Sequence, residues 1–188
     1  MLAALCLILT ASCKKTEDKD DSVDGKTGIS DNLHLSFKTP DWERNIDCTH
    51  LELEPDYWHP GVYFVTASSQ STKEAFYFTY PADSSLLVAP SNLKKYAITE
   101  FGANDKVFQF SQKLPVTDGS SDRLISRAGF SDNEYVEVSQ VKYSGSTSTA
   151  SIFQIKCRYS MKMAVLSDTS KKKMVSGTFH FKIKTTRK

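Results

Sequence analysis

Two runs of strict alternation near the end of the chain constrain the fold more than any other feature. In the first, Phe153, Ile155, Cys157, Tyr159, Met161, Met163 and Val165 fall on one face, and Gln154, Lys156, Arg158, Ser160 and Lys162 fall on the other. A repeat of two belongs to an extended chain, so this run predicts a strand with one buried face. In the second, Val175, Gly177, Phe179, Phe181 and Ile183 alternate with Ser176, Thr178, His180, Lys182 and Lys184. Ser167-Asp168-Thr169-Ser170 between the runs is turn chemistry, and the whole reads as a long antiparallel hairpin. Burying each large side chain yields about 1.5–3 kcal/mol, which a lone hairpin cannot collect, so further strands must cover this face.

The rest of the domain supplies them. Residues 33–37, 49–53, 61–67, 74–80, 107–110, 123–127 and 134–144 are extended in character, and 85–89 reads as another short strand. In residues 134–144 the phase slips: Val136 and Val138 share one face, Val141 and Tyr143 the other, which predicts a β-bulge near Ser139-Gln140. Ser91 and Gly102 suit the ends of a helix, but Tyr96, Ile98, Thr99 and Phe101 favour a strand, so one helical turn followed by a strand is expected. Tyr57-Trp58-His59, between Pro55 and Pro60, reads as a loop. Roughly nine or ten strands joined by short turns predict an all-β, single antiparallel domain over residues 31–188 with at most one short helical turn. The long hairpin must coil, which places a lipocalin-like barrel ahead of a two-sheet sandwich.

The N-terminal residues read as an address. Residues 1–12 are uncharged and mostly apolar, short of the roughly 20 that cross a bilayer as a helix, and suit a signal peptide. Thr10-Ala11-Ser12-Cys13, followed at once by Lys14-Lys15, resembles a bacterial lipobox, which implies that Cys13 is lipidated. The usual Leu stands at Leu9 and no basic residue precedes the apolar run, so a start codon upstream of Met1 is expected. Residues 13–30 are polar and acid-rich and read as a flexible tether. That acidic run resembles the export signal of surface lipoproteins of Bacteroidota, and Ser176-Gly177-Thr178-Phe179 resembles the closing strand of small lipoproteins of the same group. The resemblance implies a lipid-anchored all-β domain at the outer membrane, either exposed at the cell surface or facing the periplasm. It carries over no catalytic residue.

Chemistry is sparsely marked. Cys48 and Cys157 are the cysteines left after the signal and lipid positions, and an even pair outside the cytoplasm can form a disulfide. Asp47, Cys48, His50, Glu52, Glu54, Asp56 and His59 crowd one segment but lack an established zinc spacing, so a solvated face and no metal is the expectation. There is no Gly-x-Ser-x-Gly, no phosphate loop and no dinucleotide fingerprint, so no catalytic residue is assigned and no cofactor is expected. Carboxylates such as Glu134 and Glu137 would need a specific separation to act as a pair. A net charge of +2 without a nucleic-acid motif argues against a nucleic-acid partner. Tyr57, Trp58 and His59 are the candidate binding loop. These features lead to a non-catalytic binding or structural domain attached to a membrane through Cys13. The alternatives are a carrier with an apolar cavity and an enzyme acting on surface polysaccharide.

Overall fold

The computed structural model describes residues 25–103 and 105–186, so Cys13, the segment before it and the acidic run ending at Asp24 lie outside the described residues. The two alternating runs form β10 (Ala150–Val165) and β11 (Asp168–Thr186), an antiparallel pair. The inner face of β10 is buried from Phe153 to Val165, as are Val175, Phe179, Phe181 and Ile183 on β11. The connection is tighter than the sequence predicts: Val165 pairs with Asp168, and residues 169–171 bulge before Lys172 meets Ala164.

Around this hairpin stand β1 (His34–Lys38), β2 (Glu43–Asp47), β3 (Asp56–His59), β4 (Val62–Ser68), β5 (Ala75–Pro81), β6 (Lys95–Tyr96), β7 (Phe110–Pro115), β8 (Arg123–Ser126) and β9 (Tyr135–Ser146). Every pairing is antiparallel. The main order is β2-β1-β11-β10-β8-β7-β5-β4-β3. The length of β10 lets one edge serve two neighbours, β9 over residues 151–160 and β8 over residues 163–165. The bulge expected in β9 is present: Val138 pairs with Cys157 and Gln140 with Lys156, leaving Ser139 as the extra residue. It turns Val141 to the core beside Val136 and Val138, while Tyr143 stays exposed.

The sheet curls on itself. Counted along the ladder, β5 is four strands from β11, about 19 Å at about 4.8 Å per strand. Yet Phe76 stacks on Phe181 with ring centres 4.8 Å apart, and Phe78 meets Phe179 at 5.1 Å. Phe110 completes the centre, 4.9 Å from Phe179 and 4.7 Å from Tyr159. The two ends of the order, β2 and β3, do not pair, so the sheet is not closed. Residues 48–55 pass between those ends. Leu53 is buried there, and Glu52 lies 3.8 Å from both Lys182 and Lys184.

Gly177 is fixed by the packing beneath it. An added Cβ would lie 2.0 Å from the Ser36 carbonyl oxygen and 2.7 Å from the Tyr159 hydroxyl. The Tyr159 hydroxyl occupies that space, 2.9 Å from the Ser36 carbonyl and 3.0 Å from the Gln112 side-chain oxygen. Its neighbour Thr178 accepts and donates on the outer face, 2.8 Å from His34 Nε2 and 2.9 Å from Ser36 Oγ. Ser-Gly-Thr-Phe therefore contributes a gap, an outer hydroxyl and a central core ring in successive positions.

Several local expectations change. The strand expected at 49–53 is irregular, and the ladder partner of β1 is β2, whose Glu43, Asn45 and Asp47 are exposed as befits an edge strand. Leu51 and Leu53 face the core without joining a ladder, so their alternation reported burial alone. Residues 85–89 are not a strand: Ser84–Leu87 forms α1, a single turn capped by Asp83, whose Oδ1 accepts from Ser85 N at 2.8 Å. A 3-10 turn at Pro90–Asn92 and β6 follow, close to the expected turn and strand. Tyr57-Trp58-His59 belongs to β3 and not to a loop.

Cys48 and Cys157 are both free and buried, so the disulfide is not formed. Cys48 N donates to Leu33 O at 2.9 Å, which places it beyond β2 and level with the start of β1. Three strand steps, about 14 Å along the sheet, separate that column from β10, where Cys157 lies. A disulfide needs Cα atoms within about 7 Å. Both side chains point inward, but from different columns of the sheet.

The packed body also begins earlier than residue 31. Thr27 and Ile29, expected in the tether, are buried against the outer face of β1, β11 and β10.

Candidate binding surface

Alternation sends every second side chain of β4 and β5 away from the core, and two of these, one on each strand, are aromatic. Phe64 of β4 and Tyr77 of β5 stack with ring centres 6.0 Å apart. Trp58 of β3 meets the edge of Phe64 at 5.5 Å, and Phe101, from the loop before β7, meets Tyr77 at 5.3 Å. The Lys113 ammonium stands 5.1 Å from the Phe101 ring centre at the far end. Four rings and a cation thus run across the outer surface from the sheet edge inward.

The exposed end is the β3 edge. Tyr57 is 59% exposed and Trp58 41%. Tyr57 pairs with Tyr63 and His59 with Val62, so Trp58 is the extra residue of a bulge and can tilt onto Phe64. His59 Nε2 donates to the Asp105 carbonyl at 2.6 Å, tying the edge to the loop behind Phe101. The candidate residues Tyr57, Trp58 and His59 are therefore together, but they do different work. Trp58 opens the outer ribbon, Tyr57 lies opposite the inward-facing Tyr63, and His59 anchors. Sequence reasoning missed Phe64 and Phe101, and it grouped Tyr77 with the nearby rings without placing it on the outer face. The signal existed for Tyr77, since assigning Phe76, Phe78 and Tyr80 to the core puts Tyr77 outside.

The interior offers much less room. An apolar recess of about 140 Å3 lies among Leu35, Ile46, Cys48, Leu51, Ala67 and Phe76, well below the roughly 300–1,000 Å3 usual for small-molecule sites. Burial pushes the Cys48 thiol up to about 11, helped by the Asp47 carboxylate, so this thiol is a poor nucleophile and a poor ligand at neutral pH. Cys157 is raised further by full burial, with Glu137 adding to it. A wider depression of about 470 Å3 lies on the polar outer face among Gly28, Ser36, Arg158, Ser176 and Thr178.

The charged clusters weighed from sequence are dispersed into ion pairs. Glu54 pairs with Lys184, Glu134 with Lys162 at 3.2 Å and Glu137 with Arg158 at 3.7 Å. Among the described residues no three His, Cys, Asp or Glu side chains group as metal ligands. No described helix is long and apolar enough to cross a membrane. What the arrangement offers is ring faces and ring edges beside an unpaired strand edge, the means of gripping a planar or extended ligand. Compared with known proteins, the chain matches no family model, no curated protein and no solved structure.

Proposed function

We infer that this chain is a lipid-anchored extracytoplasmic β-domain with a non-catalytic binding role. Cys13 attaches it to the outer membrane, and the Trp58 edge with its aromatic ribbon meets the ligand. The observation that carries the reading is where the rings are placed. One set, centred on Phe110 and Phe179, fills the interior, whereas a second, from Trp58 to Phe101, lies on the outside where core packing does not call for it. A carrier would need the interior space that the first set occupies.

Two measurements test the two halves of this reading. Membrane fractionation with lipid labelling is expected to find the wild type labelled and pelleted, and Cys13→Ala unlabelled and released with its β-domain folded. Equal pelleting of both would refute the anchor. Titration with a fluorescent fatty acid is expected to show no saturable uptake by the interior. Stoichiometric uptake, undiminished by Trp58→Ala, would favour the carrier instead.

A further inference from the structure

The outer face of β1, β11 and β10 carries a row of basic side chains under cover. His34 pairs with His180, and His180 pairs with Lys156, so the three stand side by side on adjacent strands. Directly opposed residues on one face have Cβ atoms about 4.5–5.5 Å apart. All three are buried, His34 at 4% exposure and His180 and Lys156 at 2%. Outer faces of single-layer sheets are normally wet, and here the cover is the segment of residues 25–32. Ile29 is 1% exposed against this face.

The cover is held by polar contacts to that row. Lys156 Nζ donates to Asp31 Oδ1 at 2.6 Å and reaches the Ile29 carbonyl at 3.4 Å. His34 Nδ1 donates to the Asn32 carbonyl at 2.8 Å, and Arg158 donates to the Thr27 carbonyl. His180 lies between these contacts, facing the backbones of Asn32 and Asp31, and among the described residues neither of its ring nitrogens makes a hydrogen bond of ordinary geometry. Among the described residues the charged and titratable groups on its face are Lys156 and Arg158 from β10, His34 from β1, Lys182 beside it on β11 and Asp31 from the covering segment, with Asp47 of β2 beyond His34. Its partners across both ladders, His34 and Lys156, are basic, and Asp31 is engaged by Lys156.

We propose that residues 25–32 are an acid-released strap, and that His180 is the group whose protonation detaches it. A proton on His180 places a second full charge beside Lys156 in a dry row, and the backbones of Asn32 and Asp31 offset that cost only in part. Detaching the strap readmits water to all three basic groups. The direction of the titration agrees: burial holds His180 below the ordinary histidine value of 6.5, with Lys156 and His34 adding to the effect and the Asn32 and Asp31 backbones opposing it. A lowered value in the strapped state means that strap binding is at full strength above 6.5 and is lost as pH falls from there to the lowered value. Detached, eight residues add up to about 28 Å of reach to whatever precedes them.

Amide hydrogen exchange on the full chain, corrected for the intrinsic pH dependence, tests this. Protection of the peptide covering residues 25–32 is expected to fall several-fold between pH 7.5 and pH 5, while β10 and β11 stay protected. His180→Gln is expected to keep the strap protected at pH 5. Equal wild-type protection at both pH values would overturn the proposal, as would an identical loss in His180→Gln. Should that variant not fold, Asp31→Asn serves, since residue 31 lies at the surface. Without the Asp31 charge beside Lys156 the release midpoint is expected to move to higher pH, and an unmoved midpoint would overturn the proposal.

Discussion

Replacing Gly177 by Ala tests the packing argument most directly, because two principles give opposite signs. Glycine inside a strand costs about 0.5–1 kcal/mol relative to alanine through backbone entropy, so propensity alone expects Gly177→Ala to stabilise. The structure expects the reverse. The new Cβ would lie 2.0 Å from Ser36 O, a backbone atom of the neighbouring strand, and 2.7 Å from the Tyr159 hydroxyl. A carbon and a carbonyl oxygen need about 3.3 Å, so β1 and β11 must part by about 1.3 Å and the Tyr159 hydroxyl must also give way. Overpacking of this kind costs about 1–3 kcal/mol, and losing the Tyr159 hydrogen bonds adds about 1 kcal/mol. A net loss of about 3 kcal/mol corresponds to about 6–12 °C in Tm for a domain of this size. Urea and thermal unfolding followed by circular dichroism measure it. Tyr159→Phe, which removes the hydroxyl but leaves the ring, is expected to cost only about 1–2 kcal/mol, and it should relieve only part of the alanine clash because Ser36 O remains. A Gly177→Ala protein as stable as the wild type, or more so, would refute the account of this strand.

Arg44 pairs with Glu74, whose side chain is only 4% exposed, and Arg44→Ala is expected to destabilise by about 3 kcal/mol by stranding that carboxylate. Adding Glu74→Gln should restore part of the loss in urea unfolding. Cys48 and Cys157 are expected to resist alkylation at pH 8 in the folded protein and to react in denaturant, as peptide mass mapping would show; a crosslinked peptide would contradict the strand separation. Trp58→Ala removes a 41% exposed ring and should change stability by no more than about 1 kcal/mol, while quenching experiments lose the more accessible tryptophan signal. Asp83→Ala is expected to cost about 1 kcal/mol by uncapping α1, measured in the same unfolding assay.

The long hairpin, its buried face and the β9 bulge were legible in the sequence because they are periodic, and a period of two survives without knowledge of neighbours. The polar edge strand β2 was not, since a strand paired on one side and wet on the other has little apolar alternation to show. Residues 49–53 misled for the converse reason: Leu51 and Leu53 are buried by a segment that spans a gap and makes no ladder. Asp83-Ser84-Ser85 carried a helix cap that the apolar residues after it disguised as a strand. At the candidate surface, the sequence picked out Tyr57, Trp58 and His59, but their partners Phe64, Tyr77 and Phe101 come from separate segments joined by pairing alone. Whether Cys48 meets Cys157, whether β2 meets β3 and what covers His180 are questions of distance between residues far apart in the chain. Local chemistry determined which face of each long strand is dry; the curl of the sheet decided which dry faces meet and which outer faces are covered, because that depends on all the pairings at once.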